Sequence, residues 1–319
     1  MDDTTHDGVR DAAGSLSDSD SGIRSDLGLV LSGELPCISC RYDLSGISIT
    51  GLCPECGTPV RATLLATVDP EAGTLEPLTR PRLAALGLVV WSAAAFLAVL
   101  VIWVLRLGDA INAWTPIGFR LTWLGVLVPI FVGLSGVGSI VLWRPHRRFP
   151  GVHTASAVLA TALYGPLVWM MWRLHGVIDR TGFSPYVSPR PIDAARTRVQ
   201  GVILVLVIAI ALLLRPSVRV FAGRSVLLRT GELSRQSLLA FSIAAMLMEI
   251  GVLLRLGSIS WSISGGYFLD VIGLVFLAIG SVLVTVGLAS FVLDSVRLYP
   301  VLRAGPKTLL DVVGRGFGR

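Results

Sequence analysis

The chain has 319 residues and a formal net charge of +6; 53% of its residues are hydrophobic and 15% are charged. A soluble domain usually carries about 25% charged residues, so this composition excludes an ordinary soluble protein and favours an integral membrane protein. The basic residues lie mostly beside apolar runs, without the basic stripe and interleaved aromatic residues of a nucleic-acid-binding protein.

Residues 1–35 form an acidic tail that is rich in Ser, Gly and Asp and poor in aromatic residues. Because such a segment cannot bury enough apolar surface to fold, we expect it to be disordered. It also lacks the basic stretch and following apolar stretch of a cleavable secretory signal. We therefore expect the N-terminus to stay in the cytoplasm.

Residues 36–60 contain all four cysteines as two Cys-x-x-Cys pairs, Cys37 with Cys40 and Cys53 with Cys56. Two such pairs can bring four thiolates to about 2.3 Å from one ion, in the tetrahedral arrangement that zinc prefers. Two disulfides are the alternative, which a reducing cytoplasm disfavours, and an iron–sulfur centre usually has a denser run of cysteines. We predict a structural Zn²⁺ site with no open ligand position.

The same segment has a Tyr-Asp-Leu-Ser-Gly element at 42–46 and a Cys-Pro-Glu-Cys-Gly knuckle at 53–57. It resembles the CxxCxYDLxG…CPECG zinc ribbon at the N-terminus of uncharacterised bacterial multi-pass membrane proteins. The resemblance implies a ribbon attached to a protein of the bacterial inner membrane, and it implies no activity. From the residues themselves, we expect the 42–44 turn to pack within the ribbon. Because few basic residues lie nearby, the ribbon should dock a protein or stabilise the cytoplasmic face.

A linker at 61–81 leads into a predicted membrane domain at 82–305, and a cytoplasmic tail follows at 306–319. Crossing about 30 Å of hydrocarbon takes about 20 apolar residues in a helix. Six apolar runs meet or approach this length: 83–105, 121–143, 152–172, 199–214, 237–254 and 267–293. We predict an all-α integral membrane protein in which six transmembrane helices form three hairpins behind the zinc ribbon.

Arginines concentrate before the first run, between the second and third, between the fourth and fifth, and after the sixth. By the positive-inside rule this pattern puts both termini in the cytoplasm. The segment after the third run dissents, with four arginines at Arg180, Arg190, Arg196 and Arg198.

Small residues and helix ends give two weaker patterns. Gly273, Gly280 and Gly287 recur every seven residues in the sixth run, which predicts close packing against another helix. Each hairpin also ends with arginine, proline and glycine, as a triplicated two-helix unit would, although ordinary membrane-helix ends share these residues.

Ionisable residues at membrane depth are costly and therefore point to function. Glu249 lies in the fifth run, about 9 Å along the helix from Arg255, and Asp270 opens the sixth run at the same end of the membrane. We expect Glu249, Arg255 and Asp270 to form a polar cluster. It could couple transport to an ion or a proton, or it could be an interfacial ion pair that holds the last hairpin together.

Catalytic motifs are scarce. The Gly-Leu-Ser-Gly motif at 133–136 is similar to the nucleophile motif of rhomboid proteases, but no histidine is well placed to activate Ser135. We therefore expect a non-enzymatic membrane protein whose ribbon docks a protein partner. A small-solute or ion transporter using Glu249 is the second interpretation, and a membrane-embedded enzyme is the third.

Overall fold

The computed structural model describes residues 30–67, 76–115, 121–181, 193–223, 232–260 and 265–304. These residues fall into two compact units, residues 30–67 in one and the described residues between 76 and 304 in the other. The predicted tail at 306–319 and most of the predicted acidic tail at 1–35 lie outside the described residues.

The first unit is held together by short backbone pairings and one helix. Antiparallel bridges join residues 30 to 48, 36 to 43 and 52 to 59, and helix α1 spans Val60–Thr67. Its core combines Leu31, Leu35, Leu44, Val60 and Leu64 with the inner cysteines. This core extends beyond the predicted 36–60 segment on both sides, because so few residues cannot enclose an apolar centre alone.

The second unit contains six helical segments that are long and apolar enough to cross a membrane, counted among the described residues. They are α2 (Pro81–Trp114), α3 (Leu127–Ser139, flanked by the 3₁₀ turns Thr122–Val126 and Ile140–Leu142), α4 (Gly151–Met171), α5 (Ala194–Ala222), α6 (Glu232–Ser260) and α7 (Gly265–Ala304). With no strand in these described ranges, the predicted all-α membrane fold with an N-terminal cysteine module is confirmed.

Local sequence explains where two of these helices begin. Pro81 is the first residue of α2, a position that needs no backbone N–H and suits the fixed φ of proline. Asp193 precedes α5, and its carboxylate accepts hydrogen bonds from the backbone N–H groups of Ala195 and Arg196. This cap extends α5 well beyond the short apolar run at 199–214, so the helix is long enough to span a bilayer.

The six segments form a closed ring. Each packs against the next one along the chain, and α7 packs back against α2. At this seam Trp103 donates a hydrogen bond to Thr285 at 2.9 Å, and the hydroxyls of Ser92 and Ser295 lie 3.0 Å apart. The centre of the molecule is therefore surrounded on all sides by helices.

Glycines set the closest helix contacts. A Cβ atom built on Gly138 of α3 would lie 2.6 Å from the backbone nitrogen of Trp91 in α2. The glycines at 273, 280 and 287 all face residues of α6, so the stripe predicted in the sixth run is used for α6–α7 packing. Such close backbone approach replaces the hydrophobic driving force that lipid does not supply between membrane helices.

Candidate metal centre and membrane cavity

The four cysteine sulfur atoms converge, and all lie within 4.8 Å of one another. Sγ of Cys37 is 3.6 Å from Sγ of Cys56, and Sγ of Cys40 is 3.5 Å from Sγ of Cys53. Four sulfurs placed tetrahedrally at about 2.3 Å from an ion would be about 3.8 Å apart. The donor set therefore fits a metal ion held by four thiolates, with all four cysteines present as free thiols rather than disulfides.

Two backbone knuckles of the same construction hold these cysteines. The N–H of Cys37 donates to the carbonyl of Tyr42, and the N–H of Cys53 donates to the carbonyl of Thr58, both at 2.8 Å. After the second cysteine of each knuckle, Arg41 has a φ of 64° and Gly57 has a φ of 69°. The equivalence of the two knuckles gives the site its approximate twofold arrangement.

The shared environment shifts the thiol pKa values in opposite directions. The backbone N–H of Cys40, with smaller contributions from Ser39 and the neighbouring thiols, lowers the pKa of Cys37 to about 6 against the effect of burial. The N–H of Tyr42 acts in the same direction on Cys40, but burial and the three neighbouring sulfurs outweigh it and raise the pKa of Cys40 to about 12. A bound cation would displace the remaining protons and hold all four as thiolates.

The Tyr-Asp-Leu element serves the ribbon's own structure. Oδ1 of Asp43 accepts hydrogen bonds from the backbone N–H groups of Leu35 and Ser45, both at 3.2 Å. Leu44 is fully buried in the ribbon core, whereas Tyr42 is exposed. The turn thus packs and caps the knuckle, and among the described residues none of its side chains joins the sulfur cluster.

The three residues of the expected membrane cluster lie in two places. Nε of Arg255 donates to Oδ1 of Asp270 at 2.7 Å, which ties α6 to α7. Glu249 turns towards α5, where its Oε1 lies 3.4 Å from the position of a Cβ atom at Gly201. Six residues along a helix place two side chains about 120° apart around its axis, so Glu249 and Arg255 face different neighbours.

Ser135 is held as a packing residue. Its hydroxyl donates to the backbone carbonyl of Trp91 at 2.8 Å and lies 3.3 Å from the hydroxyl of Tyr164. Tyr164 also accepts a hydrogen bond from the indole of Trp91. Neither the Trp91 carbonyl nor the Tyr164 hydroxyl is a general base. The contacts of Ser135 are therefore those of hydrogen bonds between packed helices.

A charged cluster that the sequence did not predict joins α2, the chain just after α4, and α5. Asp179 is at its centre: Oδ2 accepts from Arg106 at 2.6 Å and contacts Nδ1 of His175 at 2.9 Å, while Oδ1 accepts from Nε of Arg196 at 2.9 Å. Arg106 also pairs with Asp109 of its own helix. Burial alone would raise the pKa of Asp179, but the bond from His175 and the charges of Arg106 and Arg196 hold that pKa far below its usual range. Asp179 is therefore an anion at any physiological pH.

A widened turn presents His175 to this cluster. Residues Trp172–Ile178 form a π-helical turn after α4, a feature that is often found at functional sites. Gly125 lies against this turn, where a Cβ atom would come within 2.7 Å of the carbonyl oxygen of His175. His175 is buried and is fixed through Nδ1 by Asp179, four residues further on.

A partly open cavity of about 230 Å³ lies within the helix ring. All six membrane segments line it, mainly with Leu, Val, Ile, Ala and Phe side chains. Its wall on α2 runs from Trp91 to Arg106, about 22 Å along the helix axis by the helical rise. Arg106, His175 and Arg196 line one end, so the cavity is apolar along its length and basic where it meets the charged cluster.

Two signals in the sequence point to this cluster once the structure is known. His175 and Asp179 have the i, i+4 spacing of neighbours on a helix face. Arg196 belongs to the segment whose arginines contradict the positive-inside pattern, and it lies inside α5, paired with Asp179. A buried arginine with a carboxylate partner carries no information about orientation.

Comparisons of the chain with protein-family models, with curated proteins and with solved structures find no match.

Proposed function

We propose that the chain is a non-enzymatic integral membrane protein that holds an apolar or amphipathic small molecule inside its ring of six helices. The observation that supports this function is the cavity of about 230 Å³ with walls from every membrane segment. Protein interiors are close-packed and contain few voids larger than a water molecule. An apolar cavity of about 150 Å³ is enough to bind benzene, so this one is large enough for part of an alkyl chain.

Fluorescence of Trp91, which lines the cavity, provides the test. The difference in emission between the wild type and Trp91→Phe gives the fluorescence of Trp91 itself. Bromine-labelled dodecanol, added to the protein in lipid nanodiscs, should quench this fluorescence. Ala98 also lines the cavity and is buried, so Ala98→Phe should fill the space and abolish quenching. Its neighbour Leu97 is exposed on the outer face, and Leu97→Phe is the matched control. Equal quenching in both phenylalanine variants would refute an internal ligand.

The cysteine cluster is proposed to hold a structural Zn²⁺ and to make the ribbon a docking module for a protein partner. In support, the ribbon exposes the apolar side chains of Ile38, Leu52 and Leu65, which are 58%, 60% and 79% accessible. A photocrosslinking residue at 38 or 52, introduced into the full-length protein in cells, should capture one discrete species. The same residue at Arg61, also exposed, should not, and Cys37→Ser should abolish capture.

The proposed location is the bacterial inner membrane, with both termini in the cytoplasm. Arg196 is paired with Asp179 inside α5, so it should not be counted among the loop arginines that set orientation. Without it, the segment after the third apolar run contradicts this orientation less strongly. Reporter fusions after residues 112, 185 and 260 should all give the signal of the outer side. A cytoplasmic signal at 185 would contradict the three-hairpin orientation.

Ion- or proton-coupled transport through Glu249 is the second candidate. Oε2 of Glu249 and Oε1 of Gln200 are both buried without a hydrogen-bond partner among the described residues. A carboxylate at membrane depth is costly unless it is protonated or holds a cation. If the protein is a transporter, Glu249→Gln should abolish proton-coupled flux in proteoliposomes, whereas Asp270→Asn, which alters only the Arg255 pair, should not.

A further inference from the structure

The charged cluster is arranged asymmetrically with respect to the cavity. Arg106, His175 and Arg196 line the cavity, whereas the carboxylates of Asp109 and Asp179 do not. Among the described residues no Asp or Glu side chain lines it at all. The charged side chains that line this end of the cavity are therefore all basic, and the carboxylates that pair with them lie outside its lining.

The donors are fixed before any ligand arrives. Arg196 is 6% exposed and His175 is 4% exposed, and both are held by Asp179 at 2.9 Å. Because Nδ1 of His175 contacts Asp179, Nε2 is the ring nitrogen that remains on the other side of the imidazole. Side chains that are already held in place bind a ligand more strongly than mobile surface residues do, since little ordering remains to be done.

A neighbouring polar group also faces the cavity at this end. Gln200 lies one helical turn after Arg196, lines the cavity, and has an Oε1 atom with no partner among the described residues. Its amide offers both a donor, through the side-chain nitrogen, and an acceptor, through the unpartnered Oε1.

We propose that the ligand of the cavity is an anionic amphiphile: an alkyl chain lies along the apolar wall, and a carboxylate or phosphate head binds to Arg106, Arg196 and His175. This assignment rests on the proposed function of the cavity. Both head groups accept bidentate hydrogen bonds from a guanidinium, so they share the chemistry that the site recognises.

The test compares four probes with the same chain: dodecanoate, dodecyl phosphate, dodecanol and dodecyltrimethylammonium. Each displaces bromine-labelled dodecanol from the full-length protein in nanodiscs, with Trp91 emission as the readout. The two anions should bind at least about tenfold more tightly than dodecanol, as charge-assisted hydrogen bonds predict, and the cation should bind more weakly than dodecanol.

Two variants address the head-group site. Arg196→Gln should reduce the preference for the anions over dodecanol about tenfold, while Arg196→Lys should restore part of that preference. Gln200→Glu is nearly isosteric and adds a negative charge, so the cationic probe should then bind more tightly than the anionic ones. This variant tests the head-group assignment if Arg196→Gln does not fold. Arg173→Gln is the control, because Arg173 is exposed and stacks on Trp169, 5.6 Å from the ring centroid.

The outcomes separate the two proposals. Tighter binding of either anion, lost in the Arg196 or Gln200 variant, supports the assignment, and the better anion identifies the head group. If dodecanol binds as tightly as the anions, the head-group assignment is overturned while the cavity keeps its proposed function. If no chain quenches or displaces, both proposals fail.

Discussion

Arg41 and Gly57 follow the second cysteine of their knuckles, and both adopt a positive φ, 64° and 69° respectively. The left-handed conformation costs a residue with a Cβ atom about 1 kcal/mol and costs glycine nothing. The two knuckles therefore differ in strain although their hydrogen bonds are the same. Arg41 adopts, at a cost in free energy, the same backbone conformation that Gly57 adopts without one.

The first prediction concerns this strain. Arg41→Gly should stabilise the metal-bound ribbon by about 1 kcal/mol, which corresponds to about fivefold tighter zinc binding in a chelator competition. Arg41→Ala removes the same charge but keeps the Cβ atom, so it should give no gain. Gly57→Val should weaken binding, because a β-branched residue at positive φ is an outlier. A gain with alanine equal to that with glycine would show that charge, not backbone strain, is responsible.

Metal content is the second prediction. Elemental analysis of the purified protein should find one zinc ion per chain, and Cys37→Ser or Cys53→Ser should remove it. Chelation should open the ribbon to protease and leave the membrane helices intact, because the ribbon core is too small to fold without the ion. Ser39→Ala, which alters an exposed hydroxyl between the first two cysteines, is the control. Zinc retained by both serine variants would rule out a four-thiolate site.

The α2–α3 crossing gives the third prediction. Gly138→Ala places a methyl group against the backbone of Trp91, so the two helices must separate; we expect a loss of about 1–3 kcal/mol, seen as a lower unfolding temperature in detergent. Gly108→Ala in α2 adds the same atom where nothing lies within 4 Å. That variant should be neutral or slightly stabilising, because alanine favours a helix more than glycine does. Equal losses in both would mean that the contact at Gly138 does not matter.

The fourth prediction tests Asp179, the common partner of His175, Arg106 and Arg196. Asp179→Asn should lower the free energy of unfolding by about 3–5 kcal/mol at pH 7, because the buried Arg196 and the half-buried Arg106 both lose the carboxylate that joins them. Asp109→Asn should cost less, since Asp109 is more exposed and pairs with Arg106 alone.

The pH dependence of this difference has a definite sign. The folded state depresses the pKa of Asp179, so the stabilisation is complete above the unfolded pKa of about 3.9 and decreases as the pH falls below it towards the folded pKa. The gap in unfolding temperature between the wild type and Asp179→Asn should narrow as the pH falls below about 4. A gap that stays the same or widens below pH 4 would contradict the ionised state of Asp179.

Local patterns in the sequence predicted the parts of the structure that local physics determines. Apolar length is enough to identify membrane helices, and the Cys-x-x-Cys spacing is enough to bring four sulfurs together. Helix ends were harder, because Asp193 and the arginines that follow it extend α5 by capping rather than by hydrophobicity. The glycine stripe of α7 could also be predicted, since seven-residue spacing keeps all three glycines on one face.

The ring and its charged cluster could not be predicted in the same way. Arg106 lies 73 residues from Asp179, and no periodicity connects positions so far apart. Glu249 and Arg255 were grouped by their distance along the axis, but their separation around the helix decides which neighbour each one meets. A closed ring depends on α7 returning to α2, a contact between the two ends of the membrane unit.

This seam between α2 and α7 determines the order in which the protein can be assembled. During synthesis the N-terminal helices enter the bilayer first, and Phe291, the α7 partner of Trp91, is among the last membrane residues to be made. Until α7 is inserted, one side of the ring is missing and the inner wall of α2 faces lipid. If the cavity holds the alkyl chain proposed for it, that chain can enter sideways from the bilayer before α7 completes the ring.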